Sequence, residues 1–130
     1  MFSRSEREVA GYVKALKYIY NHFKDLEFTE QTIRSLHQLL TSELLNKQLH
    51  QSQRGAYKNV PKDVVERNQE TGETKVWFRT TPPGPQTSAA MKQLIESYHQ
   101  VLSEESAHPL VATGSFVVVF LAIHPFRDGN

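Results

Sequence analysis

The sequence predicts an all-α domain of four helices, with a β-hairpin between the second and the third. Three observations support this fold class. Apolar residues recur at helical spacing in three separate stretches, and residues 110–123 form a fourth stretch in which almost every side chain is apolar. Two short β-prone runs, residues 64–67 and 74–79, flank a loop that contains Gly72, and this arrangement is a hairpin signal.

The composition limits the possible classes of protein. A chain of 130 residues matches one domain that can bury a core, and 38% hydrophobic with 22% charged residues is typical of globular chains. The formal net charge of +1 gives no field that would recruit nucleic acid or an anionic membrane. There is no cysteine and no secretory signal, so we expect a cytoplasmic protein without disulfides. The apolar stretch is too short to span a bilayer.

Caps and apolar stripes predict the first two helices. Ser5 and Glu8 have the spacing of a capping box. The stripe that the first helix is expected to bury consists of Val9, Tyr12, Val13, Leu16, Tyr20 and Phe23. Thr29 is expected to cap the second helix, whose stripe contains Ile33, Leu36, Leu40 and Leu44. His37 lies beside this stripe, where a packed, hydrogen-bonded histidine is a more common arrangement than a ligand. Residues 48–53 are polar and aperiodic, which predicts a loop.

Prolines and apolar spacing delimit the third and fourth helices. The proline-rich residues 81–85 are expected to form a rigid turn outside any helix. Thr87 or Ser88 is expected to start the third helix, whose apolar side contains Met91, Leu94, Ile95, Tyr98, Val101 and Leu102. Pro109 suits the first turn of the fourth helix. Because that helix is apolar on all sides, we expect other helices to surround it.

The most suggestive stretch chemically is positions 124–130, which read His-Pro-Phe-Arg-Asp-Gly-Asn. Pro125 disfavours helical geometry at His124, so this imidazole is expected at the rigid end of the fourth helix, a suitable mount for a catalytic base. Asp128 adds a carboxylate to the same loop. By spacing alone the alternative stays open that Asp-Gly-Asn is an ordinary turn and that both side chains are solvated.

This string resembles the signature loop of the Fic (Doc/Fic) family. Weaker parts of the resemblance, which covers roughly residues 32–130, follow in the family's order: Ile33 to His37, Gly55-Ala56-Tyr57-Lys58, the hairpin, Pro82-Pro83 and His108-Pro109-Leu110. It implies a Fic-like helical bundle with a β-hairpin flap over residues 29–130, preceded by an N-terminal helix within residues 1–28. It also implies that the signature is truncated, with its later arginines and the final helix missing.

The resemblance implies that AMP moves from ATP to a Ser, Thr or Tyr hydroxyl of a target protein, with Mg²⁺ as cofactor. His124 would be the general base, because the ordinary pKa of an imidazole lies near working pH. Asp128 would hold Mg²⁺, a hard cation that prefers carboxylate and phosphate oxygens. Gly129 and Asn130 would begin the phosphate cradle, where backbone N–H groups approach the anion. Phe126 would anchor the loop by turning its ring into the core.

The same resemblance implies a role for the hairpin and for partner proteins. Fic domains use such a flap to hold the target segment by strand addition, and the candidate residues here are Val76, Trp77 and Phe78. For Trp77, target docking and plain packing remain equally open. The inhibitory Ser/Thr-x-x-x-Glu-Gly/Asn motif of many Fic proteins is not found in these residues. An inhibitory segment elsewhere or an antitoxin partner is therefore expected.

Departures from the family pattern leave alternatives open. The Gly-x-Tyr-Arg element of many members ends here in Lys58, which cannot copy a bidentate arginine contact. Together with the absent arginines, this predicts little or no transferase activity for the 130-residue chain. A Doc-like phosphotransferase would transfer the γ-phosphate, although Gly129 stands where such relatives typically have lysine. The chain could also be a non-catalytic interaction module, and removal of AMP could be the physiological direction.

Overall fold

The computed structural model describes all residues from 1 to 130, which form two compact units. The first unit contains residues 1–57 and 128–130, and the second contains residues 58–127. The first unit contains helices α1 (Arg4–His22) and α2 (Glu30–Leu40). The second contains β1 (Val64–Arg67), β2 (Thr74–Phe78), α3 (Pro85–Ser103) and α4 (Pro109–Ile123). The predicted all-α class with a single hairpin is confirmed.

Helix α1 begins earlier than the capping-box prediction placed it. The N-cap is Ser3, whose hydroxyl accepts from the N–H of Glu6 at 3.2 Å, while the Glu6 carboxylate accepts from the N–H of Ser3 at 2.8 Å. The assignment of the box to Ser5 and Glu8 was therefore wrong. The sequence contains two overlapping Ser-x-x-Glu frames, and the earlier one lengthens the helix and lets Arg4 pair with Glu8 at 2.9 Å, one turn further on.

The face of α1 that packs against α2 is not the predicted stripe. Its buried residues are Gly11 and Ala15, whereas all six predicted residues are exposed, from 38% for Leu16 to 71% for Tyr20. Small side chains allow the two backbones to approach, because a Cβ built at Gly11 would lie only 1.8 Å from the carbonyl oxygen of Leu40. The face with small residues packs against α2, and not the larger apolar stripe, because only small residues let the two backbones approach so closely.

Gly11→Ala is expected to lower the free energy of unfolding by about 1–3 kcal/mol, because the new methyl group forces α1 and α2 apart. Gly114→Ala is the matched control, since nothing lies within 4 Å of a Cβ built at that helical glycine. Alanine there should raise stability by roughly 0.5–1 kcal/mol. Urea unfolding followed by circular dichroism at 222 nm measures both changes. Equal effects of the two substitutions would contradict the packing explanation.

The second helix follows its predicted start but not its predicted end. Thr29 caps α2, with its hydroxyl accepting from the backbone N–H three residues later at 3.1 Å. The helix stops at Leu40, because Thr41 leaves helical geometry, so Leu44 is buried outside the helix. The predicted loop over residues 48–53 contains a short 3₁₀ helix, Gln51–Gln53.

Strands β1 and β2 pair in antiparallel register, with Val65 opposite Val76 and an irregularity in β1 just before Val65. Every residue of both strands is exposed. The indole of Trp77 is no exception: its N–H donates to Glu66 at 2.7 Å, and the ammonium of Lys75 lies 4.0 Å from its ring centroid. The hairpin therefore adds little to the core of the second unit.

Helix α3 begins at Pro85 and not at Thr87 or Ser88. The assignment of Pro85 to the turn was wrong. Proline suits the first position of a helix, because an N–H there would have no partner within the helix. Gly84 before it has φ +87°, a conformation that favours glycine. Thr87 is fully buried, and its hydroxyl donates to the carbonyl of Pro82 at 2.7 Å. The predicted apolar side is buried at Met91, Leu94 and Ile95.

Helix α4 has the predicted bounds but not the predicted surroundings. It packs against α3, and its buried residues are Ala112 and Ile123. Leu110 and Val118 are 77% and 68% exposed, so the expectation that helices surround α4 was wrong. An apolar composition indicates which surfaces can be buried and does not supply a neighbour for each of them. No helix of the structure is both long and apolar enough to cross a bilayer.

Candidate active site

His124 lies in the second unit at the C-terminal end of α4, where it is half-buried in a left-handed backbone conformation. Its φ and ψ are 52° and 64°, and its N–H donates to the carbonyl of Phe120 at 2.9 Å. Positive φ is uncommon for residues with a Cβ, although histidine is among those that adopt it more often. Such a conformation persists where the surrounding structure holds it, and it is found frequently at functional sites.

Lys58 contacts the chain on both sides of His124. Its backbone N–H donates to the carbonyl of Pro125 at 2.7 Å, and its ammonium donates to the carbonyl of Ile123 at 2.9 Å. The same ammonium donates to the hydroxyl of Thr80 at 2.9 Å. Lys58 is only 2% exposed. Burial lowers the pKa of its ammonium, against a smaller opposing effect of the Asp63 carboxylate.

Phe126 is buried in the second unit, with 1% of its surface exposed. Its ring centroid lies 6.5 Å from that of Phe120 in α4, and Pro125 before it is also fully buried. Arg127 is exposed. The loop after α4 therefore has an aromatic side chain buried in the core of this unit.

In the first unit, His37 joins the backbone of Asp128 to that of Gly55. Nδ1 of His37 accepts from the N–H of Gly55 at 2.8 Å, and Nε2 lies 2.7 Å from the carbonyl oxygen of Asp128. Because one ring nitrogen must accept and the other must donate, we assign the neutral tautomer with its proton on Nε2. His37 is 3% exposed, which agrees with the packed, hydrogen-bonded role predicted for it.

The Asp128 carboxylate lies at the surface of the first unit. Its Oδ2 forms an ion pair with Arg4 of α1, and its Oδ1 accepts from the N–H of Gly129 at 2.9 Å. Both side chains of the ion pair are nearly half exposed, so the pair contributes only about 0–1 kcal/mol. A cleft of about 280 Å³ lies beside this carboxylate, lined by Glu8, Leu40, Thr41, Leu44, Asp128 and Gly129.

Gly129 adopts φ +72°, a conformation that favours glycine. A Cβ built there would lie 3.4 Å from the Thr41 side chain and 3.5 Å from Nε2 of His37, so the backbone passes close to α2. Asn130 is half-buried.

Comparison with known proteins identifies the family. The sequence model of the Fic/DOC family matches residues 27–130, most of the chain. The chain belongs to the Fic/DOC family. No curated protein and no solved structure matches it significantly. Fic/DOC proteins are generally transferases, and their partners are in general protein targets or antitoxins, so this chain is a Fic-type transferase domain.

The structure distributes the residues of the Fic signature between the two units. His124 and Phe126 belong to the second unit, and the last three residues, Asp128, Gly129 and Asn130, belong to the first. Sequence reasoning missed that Lys58 and His37 contact the loop backbone. Each of these residues ends one of the weaker stretches that resemble the family. A polar side chain in that position was the signal that could have suggested the contact. Nothing in the sequence pointed to Arg4.

The Mg²⁺ that the Fic resemblance implies would meet one carboxylate in this loop, that of Asp128. No group of three or more histidine, cysteine or acidic side chains in the structure is placed to hold a metal ion. Mg²⁺ is usually bound through one or two carboxylates together with substrate phosphates. Asp128 supplies one partly exposed carboxylate, and the exposed Arg4 can leave it at little cost.

His37 should make stability depend on pH. Burial lowers its pKa below the ordinary 6.5, while the carbonyl and the charge of Asp128 raise it by less. Between its folded-state pKa and about pH 6.5, His37 therefore binds fewer protons in the folded state than in the unfolded state. We expect the stabilising contribution of neutral His37 to be complete above that pH and to be lost as the pH falls towards the lower, folded-state pKa.

The measurement is the free energy of urea unfolding between pH 5 and 8 for the unmodified chain and for His37→Gln. The difference between the two should be largest above about pH 6.5 and should shrink on acidification. His99→Gln, at an exposed position of α3, is the control. A difference between the unmodified chain and His37→Gln that stays constant with pH would contradict the assignment.

Proposed function

We propose that this Fic domain is a protein adenylyltransferase that moves AMP from ATP to a Ser, Thr or Tyr hydroxyl of a target protein. The observation that supports it best is the imidazole of His124, mounted at the end of α4 on a buried loop that continues directly into Asp128 and Gly129. An imidazole can accept a proton near neutral pH. A carboxylate and a glycine backbone suit a metal-bound polyphosphate.

The proposed reaction assigns one task to each residue. His124 takes the proton of the target hydroxyl as its oxygen attacks the α-phosphorus of ATP. The bond to the α,β-bridging oxygen breaks, and pyrophosphate leaves. Asp128 would hold Mg²⁺, which neutralises charge on the phosphate oxygens when it is bound. The backbone at Gly129 and Asn130 would contact the phosphates.

Two radiolabels distinguish this proposal from phosphotransfer. The full-length gene product is incubated with Mg²⁺, a lysate and either [α-³²P]ATP or [γ-³²P]ATP. AMP transfer labels a protein band from the α-label alone, whereas a Doc-like phosphotransferase labels it from the γ-label alone. His124→Asn is the control for label that other enzymes of the lysate incorporate. Absence of label from both, with no Mg²⁺-dependent ATP binding, would favour a non-catalytic interaction module.

The hairpin is proposed to dock the target segment by pairing with a strand edge. Val76, Trp77 and Phe78 are 40%, 60% and 47% exposed, so they are available to a partner and contribute little to the core. Trp77→Ala should then raise the KM for the target and leave the KM for ATP unchanged. An unchanged KM for the target would remove Trp77 from the docking surface.

An inhibitory segment or an antitoxin is a further proposed partner. The labelling assay with [α-³²P]ATP would detect it as a protein that lowers AMP transfer.

A further inference from the structure

We propose that Lys58 is the positioning residue that holds His124 in its left-handed conformation, by binding the carbonyl groups on both sides of it. The consequence for reaction rate rests on the proposed function, whereas the consequence for backbone geometry does not. Lys58 touches no reacting atom in this proposal. It acts through the backbone from which the imidazole projects.

Lys58 forms hydrogen bonds with both residues that flank His124. Ile123 and Pro125 flank His124, and their carbonyl oxygens accept from the ammonium and the backbone N–H of Lys58 at 2.9 and 2.7 Å. The Ile123 carbonyl belongs to the last turn of α4, where carbonyls lack partners within the helix and a cation is favoured. One residue thus binds the carbonyl oxygens of both residues that flank His124.

The other partner of the ammonium is itself held in place. The hydroxyl of Thr80 accepts from the ammonium at 2.9 Å and donates to the carbonyl of Lys62 at 2.7 Å. The backbone N–H of Thr80 donates to the carboxylate of Asp63 at 3.1 Å. Thr80 is 7% exposed. The ammonium therefore has a fixed neighbour on one side and the end of α4 on the other.

The cost of burying this ammonium indicates that its contacts matter. No carboxylate of the structure lies within ion-pair distance of Lys58, which is 2% exposed. An ammonium buried among neutral acceptors is expensive, and a methionine of similar length would fill the same space without that cost. The ammonium satisfies the helix-end carbonyl next to His124, and φ of +52° at that residue needs such support.

The first test uses hydrogen exchange at single residues, measured by NMR on the 130-residue chain without ATP. In Lys58→Met the amide of His124, which donates to Phe120 O, should exchange about 10-fold or more faster than in the unmodified chain. The amides of Leu94 and Ile95 in α3 are the internal reference for global stability. An equal acceleration at all three positions would show general destabilisation and would overturn the proposal.

The second test measures AMP transfer in the full-length gene product. Lys58→Met should lower kcat about 10- to 100-fold and leave the KM for ATP within about 2-fold, because a misplaced base affects the transition state and not nucleotide binding. Lys58→Arg, which keeps a cationic donor, should recover part of the loss. Met91→Ala, at a fully buried position of α3, is the control for lost stability.

The two tests fail in different ways. If the unmodified protein transfers no AMP, the proposed function fails, and hydrogen exchange still decides whether Lys58 holds His124. If Lys58→Met releases the His124 amide but kcat is unchanged, the positioning role is wrong. If Lys58→Met unfolds the chain, Lys58→Arg replaces it in both measurements. In that case, the proposal is overturned if the hydrogen exchange of the His124 amide and kcat are both the same in Lys58→Arg as in Met91→Ala.

Discussion

Replacing His124 by asparagine is expected to lower the rate of AMP transfer about 10²–10⁴-fold, which corresponds to roughly 3–5 kcal/mol of transition-state stabilisation. The side chain of asparagine cannot accept the proton of the attacking hydroxyl near neutral pH. Asparagine also tolerates positive φ, so the backbone conformation of 52° at the end of α4 should be retained. His124→Ala should lose as much rate and also some stability, because alanine tolerates that conformation less well.

The measurement is kcat with [α-³²P]ATP in the full-length gene product, together with the KM for ATP. The KM should change little, since the imidazole is assigned to the hydroxyl and not to the nucleotide. His99→Asn is the matched control, because His99 is an exposed histidine of α3. A His124→Asn protein that keeps its full rate would show that another group is the base.

Truncating Phe126 to alanine is expected to lower the free energy of unfolding by about 3–5 kcal/mol, the cost of removing a large aromatic ring from a packed core. The ring is 1% exposed and its centroid lies 6.5 Å from that of Phe120 in α4, so its removal leaves a cavity in the core. That loss is a large part of the roughly 5–15 kcal/mol by which a domain is stable. The urea midpoint by circular dichroism measures it.

Two neighbouring variants test whether this loss comes from the ring. Phe126→Leu keeps much of the apolar volume and should lose clearly less stability than Phe126→Ala. Arg127→Ala changes the next residue, which is exposed, and should alter stability by no more than about 0.5 kcal/mol. A Phe126→Ala chain as stable as Arg127→Ala would mean that the ring does not anchor the loop.

The bounds of the elements were predictable to the extent that local chemistry sets them. Pro109 starts α4 and Pro125 ends it, because the constraints of a proline ring act on adjacent residues. Thr29 caps α2 for a similarly local reason. The error at Ser5 arose because a second Ser-x-x-Glu frame lies two residues earlier, at Ser3. Local chemistry allows both frames.

The packing was not predictable in the same way. An apolar stripe from Val9 to Phe23 predicted the wrong face of α1, because the approach of two backbones depends on Gly11 and Ala15. The apolar composition of α4 predicted neighbours on all sides, and the helix packs against α3 with most of its surface exposed. Hydrophobic periodicity identifies surfaces that can be buried and does not choose among them.

The candidate site combines both kinds of information. The sequence alone determined the family string of residues 124–130, the helix that precedes it and the position of His124 at the helix end, because these depend on residue identity and on proline chemistry nearby. Only the tertiary structure revealed that Lys58 binds the backbone on both sides of His124, that His37 binds the carbonyl of Asp128, and that Arg4 pairs with its carboxylate. The residues of each contact are between 65 and 124 positions apart in the chain. Such contacts are decided by which surfaces pack, and no local pattern contains that information.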